Sequence, residues 1–200
     1  MSSPDLTDIE LAAVNQVLRT PHLSIGPRLE AFERAVASYV GTVHAIGVSS
    51  GTSGLHLCVI AAGVGEGDLV ITTPFSFVAS ANCALYERAI PIFVDVDPAT
   101  GNIDPFFVAQ ATKDVMAGGA QARHWLPPAI RNPQSTIGNL KAILPVHAFG
   151  QPAEMDAILE TARRYDLAVI EDACEAIGAE YKGRQAGGLG GAGVFAFYPN

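Results

Sequence analysis

Short apolar runs recur along this chain of 200 residues, each separated from the next by a stretch of helical periodicity. That alternation constrains the fold more than any other feature, because it favours a parallel sheet covered by helices. The spacing predicts a helix from about Asp8 to Arg19, broken by Ser24-Ile25-Gly26-Pro27. A second helix follows, with Leu29, Phe32, Val36, Tyr39 and Val40 on one face and Gly41 as its stop. Strands are expected at His44–Ser49, Leu69–Thr73, Pro91–Val96, Lys141–Ala148, Ala168–Glu171 (ending at Asp172) and Gly193–Tyr198. Helices are expected at Ser53–Ala62, Ser76–Arg88, beyond Pro105, and at Glu154–Tyr165. From Gly118 to Gly138 the pattern dissolves into Gly118-Gly119, Pro127-Pro128 and Asn132-Pro133, which predicts an exposed irregular insertion. Gly183–Gly193 reads as a glycine-rich loop. The buried-looking strand Val194-Phe195-Ala196-Phe197-Tyr198 is followed by only two residues, so the reading is of a truncated domain.

Composition narrows the function. Apolar residues make up 49% and charged residues 16%, a core-rich globular balance. The formal net charge of -8, with no basic run, argues against nucleic acid as a partner. The three cysteines, Cys58, Cys83 and Cys174, are far apart and lack metal-type spacing, so they read as buried thiols in a reducing compartment and no metal is expected. No apolar run spans a bilayer and Met1–Asp8 carries no signal pattern, so a cytoplasmic protein is the expectation.

Four constellations carry candidate chemistry, and each has two readings. Ser49-Ser50-Gly51-Thr52-Ser53-Gly54 lies between a strand and a helix. It suits a phosphate at a helix N-terminus, or is a turn whose hydroxyl caps the helix. Ile170-Glu171-Asp172-Ala173-Cys174-Glu175 puts an acid at the carboxyl end of a parallel strand, where α/β folds bind ligands. Asp172 there could keep a pyridine nitrogen protonated, or cap the next turn. Thr73-Pro74-Phe75-Ser76-Phe77 offers an aromatic to stack on a flat ring, or a core residue. Pro145-Val146-His147-Ala148-Phe149-Gly150 offers a histidine as ligand or base, or a structural one. No GxGxxG fingerprint follows the first expected strand, which counts against a nicotinamide enzyme.

The order and spacing of these segments form a set. With Gly26…Phe32-Glu33, Phe93-Val94-Asp95-Val96-Asp97, Asn102-Ile103-Asp104, Gly150-Gln151-Pro152…Met155-Asp156 and Phe195-Ala196-Phe197-Tyr198-Pro199-Asn200, the chain resembles the DegT/DnrJ/StrS family of sugar aminotransferases that use pyridoxal phosphate (PLP). The resemblance covers nearly all of it outside 118–138. It implies a fold-type I, three-layer α/β/α domain around a mainly parallel seven-stranded sheet, of which residues 1–200 are the N-terminal portion, with a small C-terminal domain missing. It implies a homodimer, a nucleotide-linked keto sugar as substrate and glutamate as amino donor. It implies that Gly51 and Thr52 bind the cofactor phosphate, that Phe77 stacks on the ring, that Asp172 pairs with the ring nitrogen, and that Glu175 sits near the ring hydroxyl.

Three departures from the family pattern stand out. Glu175 occupies a place where the family often has glutamine. Ala196 replaces a phosphate-binding serine, which removes a hydrogen bond worth about 1 kcal/mol. The Schiff-base lysine belongs directly after Asn200, so the 200 residues by themselves are expected to be inactive. Two alternatives stay open: a PLP-dependent sugar dehydratase, with histidine in the lysine position, and a non-catalytic relative that binds a nucleotide sugar.

Overall fold

The computed structural model describes residues 5–131 and 138–198. They form two compact units, residues 5–47 with 197–198, and residues 48–196.

The smaller unit holds helices α1 (Asp8–Leu18) and α2 (Pro27–Val40). Thr7 starts α1: its hydroxyl accepts the Ile9 amide at 3.2 Å, and its own amide donates to the Glu10 carboxylate at 2.7 Å. This reciprocal cap satisfies donors that the first turn leaves free. Pro27 opens α2, and Gly41, at φ 79°, ends it in the left-handed conformation that glycine adopts without strain. The strand expected at His44–Ser49 does not form. A strand exists by pairing, and among the described residues none pairs with this segment. The Gly47 amide instead donates to the Glu33 carboxylate at 2.7 Å.

The larger unit is built on five strands: β1 (Leu69–Thr72), β2 (Ile90–Phe93), β3 (Leu140–Ile143), β4 (Ala168–Asp172) and β7 (Ala192–Val194). They lie in the order β2-β1-β3-β4-β7, and every pair is parallel. The mainly parallel α/β architecture therefore stands, with five strands in the sheet among the described residues. A separate hairpin, β5 (Glu180–Tyr181) with β6 (Arg184–Gln185), was not foreseen in the glycine-rich region.

Side chains on a strand alternate between faces, and here each face has its own helices. Leu69, Ile71, Ile92, Ile143 and Val169 pack with α5 (Pro105–Ala117) and α7 (Met155–Tyr165). Val70, Ala142, Ile170 and Val194 pack with α3 (Gly51–Ala61) and α4 (Ala79–Tyr86). Leu140 and Ala142 face opposite sides although they are two apart. The β1–β3 register slips there, with Leu69 opposite Leu140 and Val70 opposite Ala142, so Lys141 is the extra residue of a bulge.

The irregular insertion expected over 118–138 is in part ordered. Helix α6 (Gly119–Trp125) and a 3₁₀ turn (Pro128–Ile130) occupy it. Ala122 and Leu126 are buried, and Trp125 Nε1 donates to Asp114 at 2.9 Å, so tertiary packing supplies what the composition withholds. The rest of that expectation, residues 132–137, lies outside the described residues.

Candidate active site

Because all five strands run the same way, the segments leaving β1, β3, β4 and β7 emerge at one edge of the sheet, where parallel α/β folds place their ligands. All four constellations fall at that edge or beside it.

The first is the start of α3. Ser50 is the N-cap, and its hydroxyl accepts the Ser53 amide at 3.1 Å. The cap leaves other donors of the first turn open, because among the described residues no acceptor meets the amides of Gly51 or Thr52. A Cβ on Gly51 would stand 2.9 Å from Cys174 Sγ and 3.1 Å from the Ala196 methyl. Gly51 is therefore required by close packing, and the end of β4 and the segment after β7 both press on the α3 N-terminus. Burial first, and then the charge of Asp172, push the Cys174 thiol far up, which keeps it a packing group rather than a nucleophile.

The second is Asp172, the last residue of β4. It is buried, and its Oδ2 accepts the Ser80 hydroxyl at 2.6 Å while Oδ1 accepts the Cys174 amide at 3.3 Å. The amide bond is the turn cap weighed for this residue; the Ser80 bond was not foreseen. Ser80 is itself buried and lies 2.6 Å from the Ser76 hydroxyl. Phe77, next to Ser76, is 76% exposed, so it is a surface ring rather than part of the core.

Glu175 turns its carboxylate to the Phe149 amide at 3.1 Å. Phe149 sits at φ 53°, a left-handed conformation that costs a non-glycine residue about 1–2 kcal/mol. Glu175 and Asn102 hold that turn. Asn102 accepts the Ala148 amide at 2.9 Å and donates to the Gln151 carbonyl at 2.9 Å. Phe75 meets Phe149 edge-to-face at 5.9 Å.

His147 is fully buried and has both ring nitrogens engaged. Nδ1 accepts the Ala153 amide at 3.1 Å, so Nε2 carries the proton that it shares with Glu171 at 2.9 Å. Of its two readings, the structural one holds. Glu171 also accepts the amides of Gly187, Leu189 and Gly190 at 2.8, 2.7 and 2.6 Å. Burial alone would raise the Glu171 carboxyl; the bond from His147 and the amides of Gly190 and Gly187 outweigh it and hold the group below its usual range.

Sequence reading assigned no role to Ser80, Asn102 or Glu171, although Glu171 and Asn102 lie in the quoted motifs. The available signals were faint: a serine one helical turn beyond Ser76, and an acid inside an apolar run. Among the described residues no group of His, Cys, Asp and Glu is arranged to hold a metal ion, and no helix is long and apolar enough to cross a membrane.

The geometry agrees with what the chain is similar to. The GDP-perosamine synthase of Caulobacter vibrioides is 39% identical over 201 residues, which is 100% of this chain and 48% of that protein. A crystal structure of a DegT DnrJ EryC1 StrS aminotransferase from Brucella abortus superposes with a TM-score of 0.83 at 31% identity, covering 94% of this chain and 46% of that one. DesV of S. venezuelae, solved in complex with a ketimine intermediate, superposes with a TM-score of 0.75 at 35% identity, covering 94% and 44%. The chain spans about half the length of the curated relatives it matches. The model of the DegT/DnrJ/EryC1/StrS aminotransferase family matches residues 4–200, and the chain belongs to that family.

Proposed function

We propose that these residues form the cofactor-holding portion of a PLP-dependent aminotransferase that aminates a keto group on a nucleotide-linked sugar, with glutamate as donor. Membership of the family implies PLP, and the observation that carries the reading is Asp172. A buried carboxylate at the carboxyl end of a central parallel strand, held in place by Ser80, suits a protonated ring nitrogen. The chemistry of the remaining donors fits the same group. The free amides of Gly51 and Thr52 suit the phosphate, and the exposed ring of Phe77 suits the cofactor face.

Bound PLP supplies an electron sink for the carbon from which a proton is taken. Asp172 keeps the ring nitrogen charged, Gly51 and Thr52 anchor the phosphate, and Phe77 excludes water from one face. Glu175, the proposed neighbour of the ring hydroxyl, supports the Phe149 turn in this structure. The amino group that holds the cofactor is proposed to come from a lysine following Asn200, and a small C-terminal domain and a second copy of the chain are proposed to complete the enzyme. The GDP-perosamine synthase relative supports a nucleotide-linked sugar as substrate, and the ketimine intermediate held by DesV supports transamination.

The test uses the full-length protein. Incubated with PLP it should acquire a visible absorbance band, and with glutamate and a nucleotide-linked keto sugar it should release 2-oxoglutarate. Asp172→Asn should lose turnover by about 10²-fold or more, the scale of a preorganised electrostatic contact. Absence of the band, or an unaffected Asp172→Asn, would overturn the reading. A band with loss of sugar hydroxyl and no 2-oxoglutarate would move it to the dehydratase.

A further inference from the structure

The two serines beside Asp172 form a directed chain. Ser80 Oγ donates to Asp172 Oδ2 at 2.6 Å, and a hydroxyl has one proton, so the 2.6 Å contact between Ser76 and Ser80 must carry the Ser76 proton. The direction is therefore Ser76 to Ser80 to Asp172. Both separations fall in the short range of strong O–H···O bonds. Ser80 is 1% exposed and Asp172 is 5% exposed, so water does not compete for either. Ser76 is half-buried and adjoins Phe77.

An aspartate on its own is a poor fixed point, because its terminal torsion is broad. Here the carboxylate is pinned from two sides. The Cys174 amide reaches Oδ1 along the chain, and Ser80 reaches Oδ2 from α4, a different element. Ser80 is the second residue of α4, and its hydroxyl is spent on Asp172 rather than on a cap; no side-chain cap closes α4. Without the Ser76 donation the Ser80 hydroxyl could still rotate. With it, the rotor is set, and chained hydrogen bonds reinforce one another.

We propose that Ser80, backed by Ser76, is a positioning residue that holds the Asp172 carboxylate in a single orientation for the ring nitrogen it serves. The loop after β1 thereby does two things: it presents Phe77 and, one residue earlier, begins the chain that fixes Asp172. The proposal rests on the reading of Asp172 given above.

The test compares Ser80→Ala, Ser80→Thr, Ser76→Ala and Asp172→Asn in the full-length protein. The readouts are the PLP dissociation constant, the visible circular dichroism per bound cofactor at saturation, and urea unfolding of the cofactor-free protein. Ser80→Ala should weaken PLP binding by about five- to tenfold, the loss of one charge-assisted hydrogen bond, and lower the induced signal per bound cofactor. Ser80→Thr, which keeps the hydroxyl, should restore both. Ser76→Ala should lower the induced signal with a smaller change in affinity, of about two- to threefold. A purely structural serine would alter unfolding and leave the signal per bound cofactor unchanged.

If Ser80→Ala matches the wild type in affinity and signal while Asp172→Asn loses both, the positioning role is refuted and the role of Asp172 survives. If Asp172→Asn itself matches the wild type, the underlying reading fails. Should Ser80→Ala not fold, Ser76→Ala decides, and a wild-type signal from it overturns the chain.

Discussion

Glu171 and His147 are both fully buried, and Nε2 of the imidazole lies 2.9 Å from Oε2 of the carboxylate. With three backbone amides added, the carboxylate takes four donors, about as many as its lone pairs admit. It ties the segment after β3 and the glycine-rich loop to β4, one residue before Asp172. A buried charge of this kind is tolerated only when fully partnered.

Replacing Glu171 by Gln should therefore destabilise the full-length protein by about 3–5 kcal/mol at neutral pH, because an amide cannot accept all four donors. The folded carboxyl lies below its ordinary value of 4.5, so its contribution is complete above that pH and is lost as pH falls through the folded value. Urea unfolding at a series of pH values should show the gap between wild type and variant narrowing below about pH 4.5. A gap constant with pH would mean that Glu171 acts by shape rather than by charge.

Gly51→Ala should strike the proposed phosphate site and the packing together. The added Cβ meets Cys174 Sγ at 2.9 Å and the Ala196 methyl at 3.1 Å, neither of them the end of a long side chain. The start of α3 must shift, at about 1–3 kcal/mol, and PLP affinity should fall by about tenfold or more. Equilibrium binding of PLP checks this; unchanged affinity would remove the α3 N-terminus from the phosphate site.

Ala196→Ser should act in the other direction. The Ala196 methyl stands beside Gly51, so a hydroxyl there is close to the free amides of α3. One additional hydrogen bond of about 1 kcal/mol predicts roughly fivefold tighter PLP binding. Weaker binding in this variant would show that the phosphate lies elsewhere.

Gly193→Ala should be the most damaging of the single changes. A Cβ on Gly193 would fall 2.1 Å from the Gly187 carbonyl oxygen and 2.6 Å from the Gly187 Cα. Those atoms are backbone, and the Gly187 amide is tied to Glu171, so the loop cannot give way without breaking that bond. A loss of more than about 3 kcal/mol, or failure to fold, is expected in thermal or chemical unfolding. A wild-type melting curve would show that β7 is free to move away from the loop.

The alternation of apolar runs and helical periods determined the layers, because burial on both faces of a parallel sheet leaves a pattern in every strand and every covering helix. Motif order marked Gly51, Thr52, Phe77 and Asp172 as one set. It did not show that His44–Ser49 would lack a partner among the described residues, because an extended segment becomes a strand only when another lies beside it. Nor did it reveal α6, whose glycine-flanked sequence is held by the buried Ala122 and Leu126.

The adjacent acids of β4 show the division most clearly. Glu171 and Asp172 are equivalent on paper, and a strand sends neighbouring side chains to opposite faces. One meets His147 and the glycine-rich loop, the other Ser80 and the Cys174 amide. The chain itself determined that two carboxylates would stand at the end of a central strand. Only the tertiary structure decided which would become a saturated clamp and which the candidate for the cofactor, because the side-chain partner of each comes from a segment 24 or 92 residues away.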